Sequence, residues 1–355
     1  MLKLANYSLK DFFTKLFFIF FAPKTIKKIS DNLTVFFTHN LGGGTDKYLR
    51  HQLTSVDGAC LVISNYRLLI EFYVLTYDNK KYLYTFPRLK GLLNKLQVSE
   101  IIINSLVSYR KLLETLNLIQ TVQTKNNCKL KILFHDFYPI CPNYTLFCDN
   151  KNCTQYCKKK EIIEYKESWT KLFEVADELR VFSNSSKDIL SQFRPEFSQK
   201  ITVVPHSLDY LKNITPVKYQ KIPPLKVGVI GSIYSKVKGI EVIRKLSDSM
   251  DLYIFGDIPI KKSGIHKMGL YNIDSLKELL EKNEITVILF PSVWAETFSY
   301  VVSEIIALDL PVVGFSIGAQ GDKIKDYSKG VISQDFETKN IIYAINKAYA
   351  IYTKK

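Results

Sequence analysis

The chain has 355 residues, a formal net charge of +15 and 46% hydrophobic residues. This length predicts two domains, each large enough to bury its own core, and the composition excludes a disordered or collagen-like chain. No run approaches the roughly 18–20 apolar residues that span a bilayer, which excludes a polytopic membrane protein. The positive charge indicates an anionic partner, and composition alone leaves nucleic acid, an anionic membrane surface and a phosphorylated substrate open.

The first 28 residues are basic and rich in phenylalanine, with six lysines, one acid and the aromatic cluster Phe12–Ala22. Lys15 interrupts the apolar run, and Pro23 follows it without a small-residue cleavage site, which argues against a cleaved signal peptide. Lysines beside clustered Phe favour a helix lying in the interface of an anionic membrane. A first helix packed on the neighbouring domain is the alternative that the sequence leaves open.

From about residue 33, short β-rich runs alternate with helical stretches, which is the pattern of parallel-sheet α/β domains. The predicted strands of this part are Leu33–Thr38, Ala59–Ser64, Glu71–Thr76, Glu100–Ile103, Lys131–Phe134, Glu178–Phe182 and Ile201–Val204. Asp46–Leu53 and Glu167–Ala176 are predicted helices. Ile214–Pro224 contains three prolines and no periodic apolar pattern, so it is interpreted as a linker.

The alternation restarts after this linker. Its predicted strands are Lys226–Ile230, Asp251–Phe255, Thr286–Phe290 and Pro311–Phe315, and its predicted helices are Gly239–Met250, Ile273–Lys282, Tyr300–Leu308 and Glu337–Tyr352. We therefore predict an α/β protein of two Rossmann-like domains, with parallel sheets that face one another across a cleft. The N-terminal domain is expected over residues 29–213, the C-terminal domain over 225–336, and a final helix over 337–355 that packs back towards the N-terminal domain.

Two glycine-containing turns each follow a strand and precede a helix. Glycines at Gly42-Gly43-Gly44 let the backbone approach a ligand closely, and the helix start behind them favours a phosphate; a tight structural turn is the alternative. The turn Gly231–Gly239 carries Lys238 just before its helix, where a lysine suits a diphosphate as a point charge. An ordinary surface lysine is the alternative there.

The stretch Pro291–Glu304 carries the strongest pattern, a strand that runs into a turn and then a helix starting near Phe298–Tyr300. The unpaired amides of a helix start can hold phosphate. Glu296 lies just before this helix and Glu304 a little over one turn inside it, so two carboxylates flank one anion site. They are placed to accept hydrogen bonds from sugar hydroxyls on one side and ribose hydroxyls on the other. The pattern therefore predicts a nucleotide sugar as ligand.

Four of the six cysteines lie within 17 residues, at Cys141, Cys148, Cys153 and Cys157. A secreted disulfide domain would be smaller and would spread its cysteines more evenly, so the cluster indicates a reducing compartment. It lacks the paired C-x2-C knuckles of strong zinc sites. A structural zinc ion and a loop of free thiols both remain open.

The Glu296-to-Glu304 spacing, Lys238-Gly239, the triple-glycine turn and the strand end at Pro205-His206 together resemble the retaining GT-B glycosyltransferases of family GT4. The resemblance extends from about residue 33 to the end. The stretches His135–Asn143 and Trp294–Tyr300 resemble a bacterial subgroup found in surface-polysaccharide assembly.

This resemblance implies the GT-B fold and a set of site residues. The implied donor-binding residues are Gly43, Gly44, Lys238, Glu296, Phe298, Ser299, Tyr300 and Glu304. Of the implied catalytic group, His135, Glu296 and Lys238, the histidine would lie near the reacting sugar, although a structural histidine is the alternative. Asp136 and Thr45 would lie on the acceptor side, and His39 and His206 are interpreted as structural. Ser232 departs from the family, where many members have arginine, so the diphosphate charge would depend on Lys238 and Lys236.

The implied function is retaining transfer of a hexose from a nucleoside-diphosphate donor to a hydroxyl of a glycan or polyprenyl-linked acceptor, in O-antigen, capsule or lipopolysaccharide biosynthesis. A front-side displacement needs no metal or other cofactor, and the protein would lie in the cytoplasm, peripheral on the inner face of the plasma membrane. Nucleic acid is excluded as a partner, since no recognisable binding module accompanies the charge. The alternatives are a GT-B epimerase or sugar phosphorylase, and a non-catalytic glycan- or nucleotide-binding subunit.

Overall fold

The computed structural model describes Ile26, residues 29–30, 32–67 and 71–354. The basic segment over residues 1–28, predicted to meet a membrane or to pack as a helix, lies outside the described residues apart from Ile26. The chain groups into two compact units. The first unit comprises the chain up to residue 139 with 158–180 and 199–202, and the second comprises 140–157, 181–198 and the chain from 203 onwards.

The strands, numbered in chain order, form two large sheets and one small hairpin. They are β1 (Leu33–Thr38), β2 (Ala59–Arg67), β3 (Glu71–Tyr77), β4 (Lys80–Tyr84), β5 (Val98–Ile103), β6 (Lys129–Leu133), β7 (Phe147–Cys148), β8 (Lys151–Asn152), β9 (Glu178–Val181), β10 (Ile201–Val203), β11 (Val227–Ile230), β12 (Leu252–Phe255), β13 (Ile265–Gly269), β14 (Val287–Leu289), β15 (Val312–Phe315) and β16 (Gly330–Ser333).

The α-helices alternate with these strands. They are α1 (Gly44–Leu53), α2 (Phe86–Leu93), α3 (Leu112–Asn126), α4 (Lys160–Val175), α5 (Asn184–Phe193), α6 (Ile240–Leu246), α7 (Ile273–Lys282), α8 (Tyr300–Ala307), α9 (Gly318–Asp326) and α10 (Thr338–Thr353). Short 3-10 helices cover Pro195–Lys200 and Asp209–Leu211. Within the described residues, none of the helices combines the length and apolar composition that crossing a membrane requires.

The sheet of the first unit has the strand order β10-β9-β6-β5-β1-β2-β3-β4. Strands β9, β6, β5, β1 and β2 pair in parallel, as the sequence predicts. Beyond β2 the sheet turns antiparallel through β3 and β4, an edge that the sequence did not predict. Asp78 and Asn79 both have positive φ in the two-residue turn between β3 and β4, which is the geometry of a tight hairpin.

The sheet of the second unit has the order β13-β12-β11-β14-β15-β16, and each pair of neighbouring strands is parallel. Renumbered from β11, this is the 3-2-1-4-5-6 order of a Rossmann sheet. One buried cluster carries side chains of α6 and α10 against the strands, and a second carries side chains of α7 and α8. Helices thus cover a sheet of nearly continuous apolar strands, as a parallel sheet requires.

The segment interpreted as a linker is anchored on the second unit. Val217 is buried, and its amide donates to Leu308 O at 2.9 Å. Tyr219 donates its hydroxyl to the carbonyls of Leu280 and Ile285. The final helix, α10, packs against β16, β15 and β14 of the second unit.

Candidate functional site

Two loops of the second unit emerge where its strand order reverses, because β11 and β14 are neighbours and their crossovers run in opposite directions along the sheet. Ligands of open parallel sheets bind at such a point. The loop after β11 carries Lys238, and the loop after β14 carries Glu296. Gly239 fixes their approach: it has φ +84°, and a Cβ there would lie 2.1 Å from Pro291 O. Any other residue at 239 would push the two loops apart.

Lys238 and Glu296 form an ion pair at this point. Lys238 Nζ lies 2.7 Å from Glu296 Oε1, and Ser292 Oγ donates to the same oxygen at 3.1 Å. Glu296 is only 7% exposed. Burial lowers the pKa of Lys238, but the charge of Glu296 and the hydrogen bond to it outweigh burial, so the pKa of Lys238 is raised. The lysine therefore stays cationic at neutral pH.

The backbone around Glu296 is held by Gln320 of α9, which is 1% exposed. Glu296 N donates to Gln320 Oε1 at 3.1 Å, and Gln320 Nε2 donates to Trp294 O at 2.7 Å. The amide of Ala319 donates to Glu296 O at 2.9 Å. These bonds pre-organise the turn before α8.

Helix α8 begins at Tyr300, as the sequence predicts. Ser299 is its N-cap, since its Oγ accepts from the amide of Val302 at 3.4 Å. Phe298 precedes the cap and stacks on His206, with ring centres 4.6 Å apart and planes 14° apart. His206 also hydrogen-bonds the Tyr300 hydroxyl. The histidine interpreted as structural thus supports two predicted donor-binding residues.

Lys323 of α9 is a residue of this site that sequence reasoning missed. Its Nζ lies 3.6 Å from the centre of the Phe298 ring and donates to Ser299 O at 3.2 Å and to the Ser303 hydroxyl. Burial lowers its pKa to about 8, and the charge of Glu296 offsets only part of that effect. The site therefore contains a second lysine, and this one titrates near neutral pH.

Glu304 lies within α8 and is 8% exposed. Its Oε1 accepts from the Tyr210 hydroxyl at 2.9 Å and its Oε2 from the Tyr271 hydroxyl at 3.3 Å. Burial and the charge of Glu304 raise the pKa of both phenols, so both remain donors. Two tyrosines hold the carboxylate in place, and no local sequence pattern predicted that either of them belongs to the site.

The triple-glycine turn of the first unit follows β1. Gly42 and Gly43 have φ of +74° and +80°, and added Cβ atoms would meet no described atom within 4 Å. Backbone conformation, rather than crowding, therefore requires glycine here, and the turn is open on that side. Helix α1 starts at Gly44, two residues earlier than predicted, so the glycines form the helix start itself.

Asn104 hydrogen-bonds to three other segments of the first unit. The sequence analysis did not identify it as a site residue. It follows β5 and is 1% exposed. Its Nδ2 donates to Thr38 Oγ1 at 3.0 Å and to Thr45 O at 3.4 Å, and its Oδ1 lies 2.9 Å from His135 Nε2. Because the Thr45 carbonyl can only accept, the amide orientation is defined, and His135 Nε2 must donate. In the neutral ring, Nδ1 is then the basic nitrogen.

Asp136 is the second predicted residue at the end of β6. Burial raises its pKa to about 7, and the hydrogen bond from the Tyr138 amide to its Oδ1 offsets part of this effect. A carboxyl group with this pKa can exchange a proton near neutral pH. His135, Asp136, Thr45 and the glycine turn thus belong to one cluster of strand ends in the first unit, and Lys238, Glu296, Phe298, Ser299, Tyr300 and Glu304 to another in the second.

The clustered cysteines are free thiols. Burial and a hydrogen-bonded contact with Cys148 raise the pKa of Cys153 to about 12, and Asn143 Nδ2 lies 3.2 Å from Cys148 Sγ. Over the part of the chain that the structure describes, no group of three or more His, Cys, Asp or Glu side chains is arranged to hold a metal ion. Cys153 is therefore packed as a protonated thiol.

No protein-family model matches the chain, and no curated protein matches it in sequence. Its fold is similar to solved structures. Sucrose-phosphate synthase from Thermosynechococcus elongatus has a TM-score of 0.60 at 14% identity, over 90% of each chain. A glycosyltransferase from Rickettsia africae has a TM-score of 0.59 at 14% identity, over 91% of this chain and 89% of its own. HepE from Anabaena, solved with UDP-glucose, has 0.57 at 12% identity, over 91% and 94%.

These neighbours are GT-B glycosyltransferases. Because the likeness spans about nine-tenths of each chain, the predicted GT-B fold is confirmed. At this level of identity the likeness defines the class of fold and leaves the activity to be argued from the site.

Proposed function

We propose that the protein is a retaining glycosyltransferase of the GT4 type. It moves a hexose from a nucleoside-diphosphate sugar to a hydroxyl of a glycan or polyprenyl-linked glycan during synthesis of a bacterial surface polysaccharide. The observation that carries the proposal is the Lys238–Glu296 ion pair at the strand-order reversal, directly before the capped start of α8. That arrangement offers positive charge and helix amides to a diphosphate and a carboxylate to sugar hydroxyls.

The reaction breaks the bond between the anomeric carbon and the diphosphate oxygen and forms a bond to the acceptor oxygen on the same face. The acceptor proton passes to the leaving phosphate. Negative charge grows on the diphosphate, and Lys238, Lys323 and the α8 amides are positioned to stabilise it before the reaction begins. Glu296 orients the sugar and Glu304 the ribose.

In the first unit, Gly43 and Gly44 complete donor binding, and Thr45 and Asp136 contact the acceptor. His135, aligned by Asn104, hydrogen-bonds the donor sugar or helps to move the acceptor proton. The solved complexes of HepE contain UDP and UDP-glucose, which makes a uridine donor the first candidate. We place the enzyme in the cytoplasm, held at the inner face of the plasma membrane through the basic segment over residues 1–28.

A donor screen by thermal shift tests this proposal, because a ligand that binds only the folded state raises its stability. The panel contains the nucleoside diphosphates UDP, GDP, ADP and dTDP and a nucleotide sugar of each. We expect one nucleotide to raise the melting temperature, the shift to fall in Glu304→Ala, and turnover to persist in EDTA. Absence of any shift would refute the donor site. Free nucleotide released only when acceptor is present separates a transferase from an epimerase, and binding without turnover indicates a non-catalytic subunit.

A further inference from the structure

A cavity of about 510 Å³ lies within the second unit, beside the proposed diphosphate site. Residues 143–150 form one wall, the loop over 234–238 forms the other, and Trp294 belongs to the same lining. Lys236 and Lys238, the two lysines on which the diphosphate charge is expected to depend, both border it. The volume lies in the range of small-molecule sites, and nothing in the proposed chemistry so far uses this space.

The hairpin of β7 and β8 makes a fixed wall. Asp149 and Asn150 form its two-residue turn, both with positive φ, which is the tight geometry that holds a hairpin register. Asn152 Nδ2 donates to Val293 O at 3.3 Å, next to Trp294, and Phe147 packs against the core of the second unit. The side chains at the hairpin tip are therefore presented by a braced element.

The chemistry of the lining combines flat apolar faces with hydrogen-bonding side chains. Tyr144, Tyr234 and Trp294 provide the aromatic faces, and Tyr234 is 63% exposed although it is a large ring. Asp149 and Asn150 supply acceptors and donors. A sugar ring has matching surfaces, since its C–H groups form apolar patches and its edge carries hydroxyls. Aromatic packing with a few placed polar groups is the common way to bind such a molecule.

We propose that this cavity binds a saccharide unit of the acceptor, with the ring packed on Tyr234 and Trp294 and its hydroxyls bonded by Asp149 and Asn150. The proposal rests on the proposed function, because it is Lys238 that places the cavity beside the reacting donor. It adds an acceptor subsite on the second unit to Thr45 and Asp136 of the first.

The chain allows a direct optical test, since it contains only two tryptophans. Trp169 is fully buried in α4 of the first unit, so Trp169→Phe leaves Trp294 as the reporter. Methyl glycosides of glucose, galactose and N-acetylglucosamine, and short oligosaccharides of each, are titrated at saturating UDP. We expect a saturable change in Trp294 emission with at least one probe. If Trp169→Phe does not fold, the same titration is read on the wild type as protection of Trp294 from iodide, which does not reach Trp169.

Variants then locate the binding. Tyr234→Ala and Asn150→Ala should each weaken glycoside binding by about tenfold, the usual effect of losing one stacked ring or hydrogen bond, while UDP binding stays unchanged. Tyr343→Ala is the matched control, because Tyr343 is 72% exposed on α10 and lines no part of this cavity.

Each outcome decides a different point. UDP binding without any glycoside response overturns the subsite and leaves the donor site intact. A UDP affinity that falls in Tyr234→Ala as much as the glycoside affinity assigns the cavity to the donor and also overturns it. Glycoside binding that is lost in Tyr234→Ala, in a protein that binds no nucleotide, supports a saccharide cavity and refutes the glycosyltransferase.

Discussion

The Nζ atom of Lys323 lies 3.6 Å from the centre of the Phe298 ring, which also stacks on His206. The ammonium group is also bonded to Ser299, the cap of α8. Phe298 thus contacts two titratable side chains, Lys323 and His206. It lies directly before the helix that we assign to the diphosphate. Since burial lowers the pKa of Lys323 to about 8, the charge of this site depends on pH in a range that experiments reach easily.

Nucleotide binding should weaken as the pH rises from about 7 to 9. Lys323 loses its proton in this range, and a neutral amine attracts a diphosphate far less, so the Kd should rise by up to about tenfold per pH unit above the pKa. Isothermal titration at several pH values measures this. Lys323→Arg should bind independently of pH over this range, while Lys325→Met, at an exposed position of the same helix, should behave as wild type. A flat wild-type profile would contradict the role of Lys323.

The folded protein without ligand should show the opposite trend. The pKa of Lys323 is 10.5 in the unfolded chain and about 8 in the folded protein. Between these two pH values the protein therefore takes up a proton when it unfolds. Stability therefore rises with pH in this window, and the lysine carries its full penalty below pH 8. Urea denaturation of wild type and Lys323→Met should differ in this slope. Equal slopes would show that the lysine does not titrate there.

Replacing Lys238 by methionine should lower kcat/KM by about 100-fold to 1,000-fold, the usual cost of losing one preorganised group that stabilises developing charge. Glu296→Gln keeps the shape and the partnership with Ser292. It should lower turnover strongly, because the carboxylate is assigned to the sugar, and it should lower UDP affinity less than Lys238→Met does. Steady-state rates and UDP titrations separate the two effects. Equal losses of UDP affinity in both variants would contradict this division of roles.

Glu304 should distinguish ribose from deoxyribose. The wild type is expected to bind UDP about 10-fold to 150-fold more tightly than 2′-deoxy-UDP, since a hydrogen bond to a charged group contributes about 1.5–3 kcal/mol after desolvation. In Glu304→Gln this ratio should shrink towards one. Tyr271→Phe removes one of the two tyrosines that hold the carboxylate and should reduce the ratio by less. An unchanged ratio in Glu304→Gln would place the ribose elsewhere.

Asn104 should act through His135. Asn104→Ala removes the acceptor of the Nε2 hydrogen bond, so the ring loses its fixed orientation. We expect kcat to fall about tenfold, UDP affinity to stay within twofold, and the acid limb of the pH–rate profile to shift. Asn104→Asp keeps an acceptor for His135 but places a carboxylate oxygen against the Thr45 carbonyl, so it should not restore the rate. A purely structural asparagine would instead lower stability and leave the pH profile of the surviving activity unchanged.

Asp136 should make stability fall as the pH rises from about 4 to 7. Its pKa is raised from 3.8 to about 7 by burial, so the folded state keeps a proton that the unfolded chain has lost. The slope is at most about 1.4 kcal/mol per pH unit. In Asp136→Asn this contribution should vanish. Denaturation at pH 4.5, 6 and 7.5 measures it, with Asp326→Asn at an exposed site as the control. Parallel curves for wild type and Asp136→Asn would refute the raised pKa.

Where the sequence carried strong periodic and capping patterns, the prediction was accurate. Leu33–Thr38 and Ile273–Lys282 have the predicted bounds, and α8 starts at Tyr300. The hairpin of β3 and β4 was missed although Asp78-Asn79 is a suitable turn pair. Helix α9 carries little helix propensity because Gly318 and Gly321 lie within it. Tertiary contacts such as Gly318 against Ala295 hold it instead.

The same reason explains which site residues were missed. Glu296 and Glu304 belong to one continuous motif, so a local pattern identified both. Lys323, Tyr210 and Tyr271 reach that motif from separate elements, and only the folded chain brings them there. The sequence does indicate Asn104 as a candidate, because it is a polar residue directly after a buried parallel strand and so lies at the edge of the sheet where ligands bind.

The chain passes from one compact unit to the other five times. A plasmid that encodes only the residues after the linker Ile214–Pro224 would therefore yield the Rossmann sheet of the second unit without the hairpin of β7 and β8. The protein made from it would lack the wall of the cavity that residues 143–150 form. Chimeras that exchange donor specificity between relatives would have to carry residues 140–157 and 181–198 together with the C-terminal half. Splicing at a single point, the usual practice for two-domain enzymes, would here separate side chains that fold as one body.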